Sequence, residues 1–410
     1  MRKALTLLCT CLSIAVNAQD PIIQTIIDAM RIDSMIHYVE ELSGEVPIDL
    51  GTGPTTILSR HKNNAGNTVA QDYLMHKMEQ FGYAPVLEAF SSTGNNVLVT
   101  KTGTVYPNEF VILCAHYDAM PSGLFNAPAA DDDGSGCGAL LEAARILRDI
   151  PFEYSVIFAF WDEEEQGLVG SAAKAQQMAA NDVLVRGAVN MDAIAYDGNG
   201  DTQARVHSRP IANSPELANI AMTVRDDYGI DIDLLLTTPG ATYSDHASFW
   251  TAGYGAILMI EEFGADGNPH YHTPTDLVEY FDVPYYEKMA RLSIGTFATI
   301  AVPVDITNVV ASFPETRANA MYAYPNPTET DAVVWLEVAT ADRYQVTLVD
   351  ALGQVVADLH SGPIASGKHA FKLPMSRLAA GTYSVVATAT SGATLSTRLV
   401  RTPLLRITVC

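Results

Sequence analysis

Short apolar runs recur along the first three quarters of the chain, with amphipathic stretches between them. Asn96–Lys101, Phe110–Ala115, Ser155–Trp161, Ala188–Met191 and Ala256–Ile260 have the length and composition of buried strands. Gly136–Leu147, Gly167–Ala180, Ser214–Tyr228 and Pro284–Ala301 read as helices. Ahead of them, 20–90 reads as helical with interruptions. There Val69, Ala70, Tyr73, Leu74, Met78 and Phe81 share one helical face, which Gly82 stops. Strands alternating with helices predict an α/β domain: a mixed, largely parallel central sheet with helices on both faces. Such sheets bind ligands at the carboxyl ends of their strands.

The pattern changes near residue 303. Val333–Val338, Tyr344–Asp350, Gln354–Leu359, Lys368–Leu373, Gly381–Thr388 and Leu395–Arg401 are short strands separated by turn signals such as Leu352-Gly353 and Ser391-Gly392. They predict a small all-β sandwich. The expected division is 19–303 for the α/β domain, 304–321 for a linker and 322–410 for the sandwich.

The N-terminus has its own pattern. Arg2 and Lys3 precede the apolar stretch Ala4–Val16, and Val16-Asn17-Ala18 puts small residues before Gln19. This predicts a secretory signal peptide over 1–18, too short to span a bilayer. No later apolar stretch is long enough to span one, so no membrane-spanning segment is expected. Cys114, Cys137 and Cys410 then remain, too few for a disulfide framework. Cys114 and Cys137 read as two buried residues or as a single bridge.

Composition narrows the partners. The chain of 410 residues carries 24 Lys+Arg against 47 Asp+Glu, a net charge of −23, which argues against nucleic acid and anionic membranes. Metal cations and soluble substrates suit that balance better.

The candidate chemistry stands where the apolar strands stop. Phe110–Ala115 runs into His116-Tyr117-Asp118, and Asp131-Asp132-Asp133 precedes a helix. Ser155–Trp161 runs into Asp162-Glu163-Glu164-Glu165, and Ala188–Met191 into Asp192. Asn268-Pro-His-Tyr271-His272 comes later. Carboxylates crowded at the ends of neighbouring buried strands repel one another unless cations neutralise them. A His/Asp/Glu set without thiolate suits Zn²⁺, with Mn²⁺ or Co²⁺ as alternatives. Two metals sharing a carboxylate would use about five ligands and leave one acid to move a proton. Nucleophilic catalysis lacks a Gly-x-Ser-x-Gly motif. Asp131 and Asp133 read as caps of the following helix, Glu163 as a neighbour and His270 as a surface residue. His246 reads as orienting a pocket loop. Asp197-Gly-Asn-Gly-Asp201 reads as a turn rather than a calcium loop.

Five blocks in order, His116-x-Asp118, Asp132-Asp133-Gly-Ser-Gly, Glu164-Glu165-x-Gly-Leu-x-Gly-Ser, Asn190-Met-Asp192 and Asn268-Pro-x-x-His272-Thr, resemble the co-catalytic dizinc aminopeptidases of metallopeptidase family 28. The resemblance covers about 35–305. It implies two zinc ions per chain: Asp132 bridges them, His116 and Asp192 complete one site, and Glu165 and His272 the other. It implies a metal-bridging water activated by Glu164 as general base, Asp118 holding the His116 ring, and Tyr271 (with Tyr243 in reserve) donating to the oxyanion. It also implies a cis Asp132–Asp133 peptide. The substrates would be peptides, cleaved at their N-terminal residue. Glutaminyl cyclases share the fold and are the nearest alternative. A carboxypeptidase would need a cation for the substrate carboxylate, and no Arg or Lys occurs from Asp226 to Asp282. A metal-bearing surface module without catalysis is the alternative from another class. In the tail, Tyr324-Pro-Asn-Pro327, Gly353, Leu378-Ala-Ala-Gly381-Thr-Tyr383 and Leu399-Val-Arg401 resemble a type IX secretion sorting domain. That implies export machinery as a partner and a secreted or cell-surface location reached through the periplasm.

Overall fold

The computed structural model describes residues 19–51, 53–121, 126–264, 266–304, 320–324, 328, 331–338, 340–392 and 394–402. The expected signal peptide, most of the linker and Cys410 lie outside the described residues. The chain forms two compact units, divided between Ile306 and Thr307.

The first unit runs α1 (Pro21–Asp28), α2 (Ile32–Ser43), β1 (Ile48–Asp49), β2 (Pro54–Thr55), α3 (Ala65–Gln80), β3 (Val86–Ala89), β4 (Asn95–Lys101), β5 (Tyr106–His116), α4 (Gly134–Leu147), β6 (Tyr154–Trp161), α5 (Val169–Ala180), β7 (Leu184–Met191), β8 (Gln203–His207), α6 (Ser214–Asp227), β9 (Asp233–Thr237), α7 (His246–Thr251), β10 (Ala256–Glu261) and α8 (Val283–Ala301). Eight strands form one sheet in the order β3-β4-β6-β5-β7-β10-β8-β9. Its centre, β6-β5-β7-β10, is parallel throughout, while β3, β4 and β8 add antiparallel pairings.

Strand periodicity explains why both faces are covered. In β6, Val156, Phe158 and Phe160 point into the larger core, packed against helices that include α2, α4 and α8. Ile157, Ala159 and Trp161 point into the opposite core, under α5 and α7. Alternate residues face opposite sides, so a strand buried on both faces must be apolar throughout. That is what made it visible in the sequence. The strands β3, β8 and β9 are additions to the expected sheet: β3 is mostly exposed, Arg205 interrupts the apolar run of β8, and β9 has only three consecutive apolar residues.

The same geometry settles the cysteines. Cys114 and Cys137 are both free and buried, and they lie in the cores on opposite faces of the sheet. The bridge offered as one reading of them does not form. Cys137 Sγ donates to His116 O (3.1 Å) and Cys114 Sγ to Asn190 Oδ1 (3.3 Å).

The second unit is all-β: β11 (Ala320–Tyr324), β12 (Ala332–Val338), β13 (Asp342–Asp350), β14 (Val355–Ile364), β15 (Gly367–Leu373), β16 (Gly381–Ala389) and β17 (Thr394–Arg401). Antiparallel sheets β11-β12-β15 and β14-β13-β16-β17 bury a core of alternate residues such as Val334, Leu336, Val346, Leu348, Val385 and Ala387. β11 is the strand the sequence pattern did not predict. No helix of the described residues is long and apolar enough to cross a membrane.

Candidate metal centre

In the parallel centre of the sheet, strand ends share one edge. β5 ends on His116, with Asp118 just beyond. The turn after β6 carries Glu163–Glu165, Asp192 follows β7 directly, and the approach to α4 carries Asp131–Asp133. The loop after β10 returns with Asn268–His272. Residues spread from 116 to 272 thereby become neighbours.

They form two groups, His116–Asp132–Asp192 and Asp132–Glu165–His272. His116 Nε2 lies 3.1 Å from Asp132 Oδ1 and 3.8 Å from Asp192 Oδ1. His272 Nε2 lies 2.9 Å from Asp132 Oδ2 and 3.0 Å from Glu165 Oε2. Asp132 belongs to both groups and turns one oxygen to each imidazole. Asp132 Oδ2, His272 Nε2 and Glu165 Oε1 are buried and accept or donate no hydrogen bond. Close approach without hydrogen-bond alignment is the arrangement of donor atoms aimed at a common ion. The residues therefore fit a pair of divalent cations.

Asp118 organises both sides of this arrangement. Its carboxylate lies 3.4 Å from His116 Nδ1. Oδ1 accepts from Glu164 N (3.0 Å) and Oδ2 from Glu165 N (3.2 Å). Asp118 thus meets the imidazole with its carbonyl (3.2 Å from Nδ1) as well as its carboxylate, and fixes the turn that presents two glutamates. The Asp132–Asp133 peptide is cis. Asp133 caps α4 by accepting from Gly136 N (2.9 Å) and also accepts from His116 N (3.0 Å). Asp131 makes no such cap. Its carboxylate accepts from Ala195 N (3.0 Å) and from Asn268 Nδ2 (2.9 Å).

Charge crowding shows in the acid–base balance. Burial pushes the Glu164 carboxyl well above the usual range, and Asp245, Asp192 and Asp118 add to it against the pull of His116. Burial and the Asp132 charge raise Glu165 to about 7. At Asp132 the effect of burial is overridden by the imidazoles of His116 and His272 that face its two oxygens, which hold it low. His272 is raised to about 10, because Asp132 and Glu165 outweigh its burial.

The rim residues separate. Tyr271, 40% exposed, stacks on the His272 ring at 3.8 Å and meets Phe263 edge-on at 5.1 Å. Tyr243 meets His207 edge-on at 5.8 Å. Glu163 pairs with Lys62 (3.1 Å). His270 stacks on Tyr280 and bonds Thr275. His246 Nε2 donates to Ala241 O (2.9 Å) and so holds the loop before α7. In the run resembling a calcium loop, Asp197 spends both oxygens on Gly200 N and Thr202 N, as a turn does.

Two supporting residues went unread in the sequence. Asp276 Oδ1 accepts from Asp131 N (3.1 Å) and Oδ2 from Asp132 N (3.2 Å), while its carbonyl accepts from Ala130 N (3.1 Å). It joins the loop of His272 to the loop of Asp132. Arg60, fully buried, donates to the carbonyls of Leu42, Tyr117, Pro128 and Ala129 at 2.7–2.9 Å. It braces the segments after His116 and before Asp131. A lone Asp and a lone Arg in loops carry no spacing signal; only their partners, remote in sequence, mark them.

Residues 96–296 match the model of peptidase family M28, and residues 322–401 that of a secretion system C-terminal sorting domain. The first unit carries a peptidase family M28 domain. Leucine aminopeptidase 1 of Paracoccidioides brasiliensis is 27% identical to this chain over 286 residues, 64% of the chain and 72% of the relative. The fold resembles the LapA aminopeptidase of Legionella pneumophila (TM-score 0.60, 20% identity, 70% of this chain and 76% of that one). It also resembles a glutaminyl cyclase of Porphyromonas gingivalis (TM-score 0.54, 18% identity, 66% and 99%). At these identities the two structures speak to the fold of the M28 domain alone.

Proposed function

We propose that this chain is an exported, zinc-dependent aminopeptidase that removes N-terminal residues from peptides. The observation that carries the reading is Asp132, whose two oxygens each face a different imidazole. His116 and Asp192 would hold one zinc, Glu165 and His272 the other, and Asp132 both. When bound, the zinc pair would supply Lewis-acid activation of water and of the scissile carbonyl.

The chain's own residues would do the rest. Glu164, whose carboxyl feels the charges of His116 and Asp192, would accept the proton of the attacking water. It would then deliver that proton to the leaving amine. Its raised carboxyl pKa suits a group that holds a proton between these events. Asp118 would keep His116 and the Glu164 backbone in register. The Tyr271 hydroxyl feels the charges of Asp132, Asp192, Glu165 and Glu164, and so would donate toward the developing oxyanion. The sorting domain supports passage through a type IX export machinery to the cell surface or medium.

The test is the purified full chain, loaded with zinc and assayed against aminoacyl reporters, N-blocked versions and N-terminal glutaminyl peptides. Hydrolysis of free aminoacyl substrates, with N-blocked ones untouched and two zinc ions per chain by elemental analysis, is expected. Cyclisation of glutaminyl peptides without aminoacyl hydrolysis would replace the reading by the cyclase. No turnover of any substrate would replace it by an inactive binding module.

A further inference from the structure

Behind the shared aspartate two further acids are buried face to face. Asp131 directly precedes Asp132, and Glu261 closes β10. Glu261 is 0% exposed and Asp131 1%. Ile257 and Met259 of β10 point into the larger core, and alternation puts Glu261 on that same face of the sheet. Two consecutive backbone N–H groups bring the acids together. Ala195 N donates to Asp131 Oδ1 (3.0 Å) and Tyr196 N to Glu261 Oε2 (2.8 Å). Asp131 Oδ2 accepts from Asn268 Nδ2 (2.9 Å). Both oxygens of Asp131 therefore hold an N–H donor. Glu261 has one oxygen to spare: Oε1 is buried and receives no hydrogen bond from an N–H or hydroxyl among the described residues. The two carboxyl groups lie within hydrogen-bond reach of each other, and among the described residues neither forms an ion pair with Lys, Arg or His.

Two carboxylates in contact in a dry interior do not both stay ionised without a cation. Burial pushes Glu261 well above the usual carboxylate range, and the charge of Asp131 and the bond to it push the same way. Burial raises Asp131 as well, but there the bond with Glu261, Asn268 and Ala195 N pull it back. We infer that Glu261 keeps its hydrogen and donates it from Oε1 to Asp131, and that this contact positions the Asp132 carboxylate from behind. Glu261 belongs to neither ligand group and acts through Asp131. Asp276 already fixes the backbone of the same segment through Asp131 N and Asp132 N. Glu261 fixes its side-chain face, so that the segment cannot turn Asp132 away from the two imidazoles. A neutral donor suits this place. Lys or Arg would repel the cations in front of it, and a second free carboxylate would compete with Asp132 for them. The inference rests on the two-ion reading of Asp132, and not on which reaction the centre performs.

The experiment uses the full-length, zinc-loaded chain as wild type, Glu261→Gln, Glu261→Met and Asp131→Asn. Gln can donate its amide N–H to Asp131 while its carbonyl accepts from Tyr196 N, as the neutral acid does. Its zinc affinity, read by competition with a chelator, should stay close to that of wild type. Met has similar length and no donor, and should weaken zinc about 10- to 100-fold. Asp131→Asn should weaken it likewise, because its amide nitrogen would face the N–H of Ala195 or of Asn268. The second readout is infrared. The difference spectrum of wild type minus Glu261→Gln at neutral pH should contain the carbonyl stretch of a neutral carboxylic acid. Carboxylate bands in its place would overturn the inference, as would a Gln variant that loses zinc as Met does, or an Asn variant tolerated where Gln is not. Should Met fail to fold, the contrast of Gln with Asn and the infrared band still decide. If wild type itself binds fewer than two zinc ions, the two-ion reading fails, and the infrared band alone decides where the hydrogen sits.

Discussion

Glu164 and Asp132 are both buried carboxylates, yet their surroundings pull them apart. Asp132 is held ionised by two imidazoles, while Glu164 is pushed toward its protonated form. One is suited to be a permanent ligand and the other a proton carrier. Glu164→Gln keeps shape and removes the ability to take a proton. It should retain two zinc ions by elemental analysis while kcat falls by about a thousandfold or more. Wild-type turnover in that variant would remove Glu164 from the role. Asp132→Ala deletes a ligand shared by both groups. Zinc should be lost from both positions together, which titration with a chelator-coupled dye would read; a variant still holding two tight ions would disprove the sharing. His246 gives a pH prediction. Burial pulls its pKa down to about 3 from about 6.5 in an unfolded chain. The folded state thus refuses a proton that the unfolded state accepts. Its contribution is whole above pH 6.5 and disappears progressively as pH falls toward 3, on the order of 5 kcal/mol in all. Denaturation of the zinc-free protein should lose stability over that window more steeply in wild type than in His246→Asn. Identical slopes would show that His246 does not hold the loop as a neutral ring.

At the scale of elements, the centre depends on loops being fixed against one another, since the strands set only where the loops begin. Asp276 does this between the loops that carry Asp132 and His272. Asp276→Ala leaves two backbone N–H groups buried without acceptors, at about 1–3 kcal/mol each. It should weaken zinc binding about 10- to 100-fold, as removal of supporting partners does in metal sites generally. Zinc competition at a pH and temperature where circular dichroism shows a native fold is the measurement. Unchanged affinity would reduce Asp276 to an ordinary loop contact.

For the whole molecule, the two compact units have separate cores, and every proposed ligand precedes the second. Ending the chain after Val304 should leave kcat/KM on a small aminoacyl substrate within about twofold of the full chain, because domains with independent cores share few contacts. Cell fractionation should find the shortened form in the periplasm and the full-length form at the surface or in the medium. Export of the shortened form would defeat the sorting role, and a folded, zinc-replete but inactive one would defeat the independence of the units.

What the sequence determined by itself was everything that follows from local periodicity and from order along the chain. The stretches Val111–Ala115 of β5, Val156–Trp161 of β6 and Ala256–Ile260 of β10 are buried on both faces and therefore apolar throughout. Helices such as α4 and α8 show the amphipathic period, and the alternation of the two dictates a parallel core with its chemistry at strand ends. His116, Asp132, Glu164, Glu165, Asp192 and His272 were legible because they sit where apolar runs stop, in an order matching a known set of motifs. The short strands β3, β8 and β9 escaped because β3 and β9 are brief and partly exposed and Arg205 breaks the run of β8. Only the tertiary structure decided that Asp132 faces two imidazoles at once, that Asp276 and Arg60 brace the loops, and that Cys114 and Cys137 lie on opposite faces of the sheet. These are relations between segments from 16 to more than 140 residues apart. No local pattern encodes them, because the interaction energies that select them arise only once the sheet has brought the strand ends to one edge.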